Sequence, residues 1–245
     1  MNWKKVIINR FYYSSNKIGF DTSIFSMIGM GVGCFAMIIA LSVMNGFESI
    51  VNNRLRGFEG DLNLPDTLSA KFFSDIPEIE IAMPYMERKG IIKGSQDNLI
   101  VFIKAIDERL MDEFYEIPFK GDALEDGHVI IGQGLANRLG IGINDEITLF
   151  SPIDQVYGIG LPPMKKMSIS GVFSTKVLNY DDSYVFMTLK DGKNLFKRKN
   201  NFDGYDIKVY NEKMIEVTKS KLYNLIGKNI LIQSWQEKNK SLVDA

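Results

Sequence analysis

Residues Thr22 to Phe47 form a run of 26 residues without a charged side chain, TSIFSMIGMGVGCFAMIIALSVMNGF. A hydrocarbon core about 30 Å thick is crossed by a helix of roughly 20 apolar residues. The run therefore predicts a transmembrane helix over 22–47, with most of the 245-residue chain on one side of it. Lys4, Lys5, Arg10 and Lys17 precede the run and only Asp21 opposes them, whereas the residues after it (Glu48, Arg54, Arg56, Glu59, Asp61) are mixed. Basic residues flanking a span stay in the cytoplasm, which puts the N-terminus there. A cleaved signal peptide fits less well. Its apolar core is usually about 7–15 residues and ends at small residues, unlike Val43-Met44-Asn45-Gly46-Phe47. Residues 1–21 mix bases with Trp3, Phe11, Tyr12, Tyr13 and Phe20, as suits a short helix lying at the cytoplasmic interface.

The glycines of the run, Gly29, Gly31 and Gly33, lack the spacing of a nucleotide loop and follow no strand. Gly29, Gly33 and Ala36 instead share one helix face, where small side chains let a second helix approach closely. Other functions are narrowed by composition. A formal net charge of −1 is no footprint for nucleic acid. The one cysteine, Cys34, lies inside the apolar run, so no disulfide within the chain is possible. With one histidine, His128, a zinc site of several Cys and His ligands is excluded, and a Ser-His-Asp triad would have to use that residue. The acid pairs Asp181-Asp182 and Glu125-Asp126 sit beside turn residues and read as solvated loop charges rather than acid–base catalysts. The chain reads as neither an enzyme nor a metalloprotein.

Beyond the run, SIVNNRLRGF continues as helix and is expected to end at Gly57 and Gly60. Short strands are expected at 61–64, 79–86 and 89–93 (around a Glu87-Arg88 turn), 99–106, 129–131, 146–150, 167–173, 183–188, 205–209 and 230–233. Helices are expected at 70–73, from a cap at Asp107 through Tyr115, at 134–139 stopped by Gly140, at 189–198, from a cap at Asn211 to about Ile226, and from Ser234 on. Met214, Val217, Leu222 and Leu225 would form the apolar face of the helix after Asn211. Strands and helices mix without a βαβ repeat, so the class is α+β. One segment stands apart: Pro152 to Lys166, PIDQVYGIGLPPMKK, is long for a connection, stiffened by prolines, and carries Ile159, Leu161 and Met164 beside a basic tip. It reads as a binding loop.

Two strings carry a family resemblance. LSVMNGFE at Leu41–Glu48 and HVIIGQGLANRLGIGINDEITLFSP at His128–Pro152 resemble the permease subunits of the lipoprotein-releasing ABC transporter of Gram-negative bacteria. FIKAID at Phe102–Asp107 is similar to a further family element, with Ala105 in place of glycine, and Asn144 stands where glycine is common. The resemblance implies a cytoplasmic interfacial helix (1–21), transmembrane helix 1 (22–47) and a periplasmic domain (48–233) in the bacterial inner membrane. That domain would have two mixed α+β subdomains of the MacB-like kind. Residues 234–245 would lead to a missing second transmembrane helix, the chain being the N-terminal portion of a longer permease. It also implies that the loop 152–166 is a hook docking a periplasmic lipoprotein chaperone, through Pro152, Tyr157, Ile159, Leu161, Pro162, Pro163, Met164, Lys165 and Lys166. Gly29, Gly33 and Ala36 would pack against a second permease, identical or different. Ile38, Ile39, Val43 and Met44 would line a cavity for membrane lipid and the lipoprotein cargo. With no Walker motif here, ATP would be bound by a separate ATP-binding subunit. The alternative is a related permease of the efflux or cell-division type, which signals mechanically to envelope partners and has no need of a proline-rich basic hook.

Overall fold

The computed structural model describes residues 3–12, 17–65, 70–94, 97–154, 162–197, 202–227 and 230–238. The chain divides into two compact units, Met1–Val51 and Asn52–Ala245. The first holds α1 (Trp3–Tyr12) and most of α2 (Lys17–Glu59). From Ile24 on, α2 is long and apolar enough to cross a membrane, and none of its most apolar window is buried. Among the described residues, nothing beyond the helix's own backbone lies within 4 Å of where a Cβ on Gly29 or Gly33 would be. At 3.6 residues per turn Val43 falls on the Gly29–Gly33–Ala36 face, Ile39 and Met44 flank it, and Ile38 lies opposite.

The second unit is built on one sheet. In chain order its elements are β1 (Leu62–Pro65), β2 (Ile79–Lys93), β3 (Asn98–Ile106), α3 (Met111–Phe114), β4 (Phe119–Gly121) and β5 (His128–Gly132). There follow α4 (Gln133–Leu139), β6 (Glu146–Phe150), β7 (Met164–Phe173), α5 (Leu178–Asp181), β8 (Tyr184–Thr188) and α6 (Leu189–Leu195). The set closes with β9 (Gly204–Val209), α7 (Ile215–Ile226), β10 (Gln233–Ser234) and α8 (Trp235–Lys238). The strand order is β10-β1-β9-β2-β3-β8-β5-β7-β4, and β6 pairs with both β2 and β7. That last pairing closes β2-β3-β8-β5-β7-β6 into a ring. Apolar residues from every strand of the ring meet inside it: Met86 and Ile92, Ile103 and Ala105, Val185 and Met187, Val129 and Ile131, Met167 and Ile169, Ile147 and Leu149. Leu135 and Leu139 of α4, with Leu195 of α6 and Phe196, complete this core. The unit is thus a small barrel with a three-stranded extension, β9-β1-β10, and the 15-residue strand β2 belongs to both parts. The two mixed parts expected from the sequence are present, yet they share one sheet.

Two backbone positions show why the ring closes as it does. A Cβ on Gly90 would stand 2.3 Å from Ile103 Cδ1 and 2.6 Å from the Phe150 carbonyl, so the approach of β6 to β2 requires glycine there. Asn144 adopts φ 72°, a left-handed conformation that glycine takes freely and asparagine tolerates better than most residues. The glycine that the resemblance leads one to expect there would suit this backbone, and Asn144 adopts it as well.

Several elements differ from expectation. The Glu87-Arg88 turn is absent: β2 runs straight through it, because Glu87 and Arg88 pair with Lys104 and Ile103 of β3. Gly57 lies inside α2, where its carbonyl accepts from the Glu116 amide at 3.2 Å, and Gly60 (φ 78°) ends the helix. Asp107 caps as expected, but caps a single 3-10 turn that precedes a shorter α3. The buried face of α7 is Ile215, Thr218 and Leu222, while Val217 and Leu225 are exposed. The helix from Ser234 is anchored to the rest of the unit. Ser234 and Glu237 form a reciprocal capping box, Trp235 is buried, and Lys238 reaches Glu59 at 3.3 Å.

The outer face of the barrel carries the link to α2. Phe58, in the last turn of that helix, is fully buried among Tyr115, Phe173, Tyr180, Tyr184 and Phe186. Lys104 projects outward from β3, alternating with the inward Ile103 and Ala105, and donates to Asp206 of β9 at 2.6 Å with both side chains buried. Asn63 of β1 donates to the same carboxylate at 2.7 Å. Glu87 stands directly across from Lys104, whose ammonium is taken by Asp206. Burial therefore raises the Glu87 carboxyl above its usual range, Lys104 opposing the shift. An acid whose folded pKa exceeds its unfolded value, about 4.3 for glutamate, loses stability as pH rises through the folded pKa. Glu87→Gln is accordingly expected to stabilise the protein at pH 8 and to lose that advantage near pH 4. Denaturant midpoints at the two pH values read this out, and an unchanged or lower midpoint at pH 8 contradicts it.

Candidate partner-docking site

The proline-rich segment is the loop of the β6–β7 hairpin. Phe150 pairs with Met164, Leu149 with Lys165 and Thr148 with Lys166, and the Ser151 amide donates to the Pro163 carbonyl at 2.9 Å. The expected loop is thus shorter than drawn from sequence, since Met164, Lys165 and Lys166 already belong to β7. Its incoming arm, Pro152–Asp154, makes one 3-10 turn with Pro152 and Ile153 exposed. Ser151 Oγ donates to Asp154 at 2.5 Å, and Arg88 of β2 lies 3.7 Å from Asp154 and 2.6 Å from Asp203. The outgoing arm is held by Lys165, which points into the barrel mouth and pairs with the buried Asp191 of α6. Asp191 also accepts from the Gly127 amide at 2.6 Å. Pro162 and Pro163 are half-buried at the base. Tyr157, Ile159 and Leu161 lie outside the described residues.

The basic tip therefore divides. Lys165 is committed to Asp191, whereas Lys166 points outward and pairs with Glu146 in an arrangement exposed on both sides, worth little in stability. Lys166 keeps its charge available at the surface.

Beside the loop lies a feature that no periodicity count exposes. Met164 pairs with Phe150, Phe150 with Ile91, and Ile91 with Ile100. These residues alternate with the inward Leu149, Ile92 and Val101, so all face outward and form one apolar row across four strands. Ile100 is 75% exposed and Met164 55%, and Ile153, 67% exposed, lies shortly after Phe150 in sequence. Lys89 on one side, and Lys93 and Lys166 on the other, occupy the neighbouring outward positions. Solvent-exposed apolar residues grouped with a polar rim mark interaction surfaces. The signal was present as an alternating pattern in each strand, but only the register places the four residues in line.

One member of each acid pair, Asp181 and Asp126, is engaged in hydrogen bonds or an ion pair. Asp181 is buried rather than solvated, and accepts from the Thr175 amide and hydroxyl, both at 2.7 Å, from Ser174 Oγ at 3.1 Å and from the Lys176 amide at 3.1 Å. It holds the turn before α5. Asp126 accepts from Thr188 Oγ1 at 2.9 Å and pairs with Lys190, which hold its carboxyl below the usual range. His128 is half-buried, with Nδ1 3.2 Å from the Asp126 carbonyl.

The barrel and its extension together define a known fold. The periplasmic region of MacB from Actinobacillus actinomycetemcomitans superposes with a TM-score of 0.51 at 12% identity, over 80% of this chain and 99% of that one. Residues 23–222 match the MacB-like periplasmic core domain, and the chain belongs to that family. Its sequence is similar to the lipoprotein-releasing system transmembrane protein LolC of Buchnera aphidicola, 27% identical over all of this chain and 60% of the relative. LolC of Neisseria meningitidis is 23% identical over 90% of this chain and 57% of the relative. The chain thus spans about 60% of the length of the curated relatives it matches.

Proposed function

We propose that this chain is part of a permease subunit of an inner-membrane ABC transporter that releases lipoproteins and passes them to a periplasmic chaperone. The relatives' names supply the transport system. The observation that carries the docking role is the apolar row Met164–Phe150–Ile91–Ile100 continuous with the base of the 152–166 loop. In this reading the N-terminus is cytoplasmic and the sheet domain periplasmic, and a separate subunit binds ATP. A second permease packs on Gly29, Gly33 and Ala36, and Ile39, Val43 and Met44 face cargo acyl chains. Each buried CH₂ of such a chain contributes about 0.8 kcal/mol to membrane retention, so extraction needs the partner ATPase. The chaperone grips the loop while its apolar centre covers the row and its acidic rim meets Lys89, Lys93 and Lys166.

Ile100→Glu with Met164→Glu, placed in the complete transporter, is expected to weaken chaperone binding at least about tenfold, as loss of central apolar contacts does at interfaces. Leu178→Glu, at a 76% exposed residue outside the row, leaves it unchanged. Equal binding by all three proteins contradicts the docking assignment.

A further inference from the structure

A cavity of about 780 Å³ opens at the barrel mouth, lined by Asp107, Glu108, Arg109, Asp126, Lys190, Lys193, Asn194 and Lys197 among others. Its place follows from the topology. β3 and β8 are adjacent and parallel, and both end here, at Ile106 and Thr188. After β3 the chain passes to the outer face, where Tyr115 joins the aromatic cluster around Phe58. After β8 it passes to the inner side, where α6 covers the barrel core: Gly192 lies against Ala105, and Leu195 and Phe196 enter the core. Two parallel strands whose chains depart to opposite sides leave a crevice at their carboxyl ends, the place where open sheets bind ligands. Barrel mouths are used in the same way.

The charges in this crevice do not cancel. Asp107 is held by the Arg109 guanidinium at 2.6 and 2.9 Å, and Asp126 by Lys190. Lys193 lies over the Phe202 ring at 5.1 Å, and Lys197 takes a left-handed φ of 52°. Among the described residues neither Lys193 nor Lys197 has an ion-pair partner, and Glu108 is the one acid of the lining outside the two pairs. Two ammonium groups, with the Asn194 amide between them in sequence, therefore face a solvated cavity of ligand size.

We propose that this crevice binds a small anion of the phosphomonoester class, held by Lys193 and Lys197 with Arg109 and Lys190 at its rim. The site is separate from the docking row and stands whether or not that row receives a chaperone. Phosphate oxygens accept from several ammonium and amide donors at once, and such charge-assisted bonds are the strong ones. The attraction is partly screened by salt, so binding weakens as salt is added.

The test is a phosphorus NMR titration of the full chain in detergent, with inorganic phosphate in one arm and glycerol phosphate in the other. Saturable binding is expected in the glycerol phosphate arm, with or without binding in the other, and binding of inorganic phosphate alone overturns the phosphomonoester assignment. Lys193→Gln with Lys197→Gln is expected to weaken it at least about tenfold through loss of charge-assisted bonds. Lys120→Gln with Lys213→Gln, at exposed lysines elsewhere, leaves it unchanged. Should the double variant at 193 and 197 fail to fold, Lys197→Gln alone, at an exposed position, still lowers affinity. No saturable binding in either arm, binding that survives the Lys193 and Lys197 changes, or an equal loss in the Lys120 and Lys213 variant overturns the proposal.

Discussion

Replacing Phe58 with alanine is expected to lower the unfolding free energy of the sheet domain by about 3–5 kcal/mol, the range for deleting a buried aromatic ring. The magnitude follows from its surroundings. Phe58 is 0% exposed, stacks on Tyr180 at 4.1 Å, and meets Tyr184 edge-on at 4.9 Å. Phe186 lies at 5.6 Å, and Tyr115 and Phe173 at 6.0 Å. These rings sit on α5, β7, β8 and the end of α3, all fixed by their own pairing, so little collapse into the cavity can occur. A domain is typically stable by about 5–15 kcal/mol, so the change removes much of the margin. Denaturation of the full chain in detergent, followed by fluorescence of the buried Trp235, reads it out. Phe25→Ala, at a residue 74% exposed in the first unit, serves as the control. A loss for Phe58→Ala below about 1 kcal/mol, the ordinary cost of a point change, would contradict the packing described.

The second large effect is at Lys104. Its ammonium and the Asp206 carboxylate are 2.6 Å apart and 2% and 1% exposed. They join the barrel to its extension across β2. Removing one partner of such a pair leaves a buried charge uncompensated and costs about 3–5 kcal/mol. Lys104→Met is therefore expected to lose that much, and Asp206→Leu a similar amount. The double variant should recover most of it, because well-packed apolar replacements of both partners are often neutral. Asn63, which also donates to Asp206, would then lose a partner and keep the recovery incomplete. The cycle of denaturant midpoints measures the coupling, and single losses that simply add in the double variant contradict it.

How much of this was legible in the sequence differs by element. The membrane-length run was plain, because one uncharged stretch of that length has few other uses. LIVFIKAI was read as a strand and is β3, and Gly140 stops α4 in the left-handed conformation expected of it. Adjacent charges at Glu87-Arg88 suggest a solvent-facing turn, whereas Arg88 is neutralised by Asp203 and Asp154 from distant parts of the chain. Barrel closure was not legible: it rests on the pairing of β6 with β2, a contact about sixty residues apart that no local pattern encodes. The same holds for the candidate site. The proline-rich loop announces itself, but Asp191 as the anchor of Lys165, and the alignment of Ile100 with Met164, depend on register.

We propose that the hairpin loop and its adjoining row receive a lipoprotein chaperone. A photo-crosslinking residue at position 163, in cells carrying the complete gene, tests it most directly. The Pro163 carbonyl accepts from the Ser151 amide at the hairpin base, which puts a partner seated on the loop within reach. Capture of the periplasmic lipoprotein chaperone, abolished when Ile100→Glu and Met164→Glu are added, is the predicted result. Capture of a different envelope protein with no chaperone adduct would contradict the account.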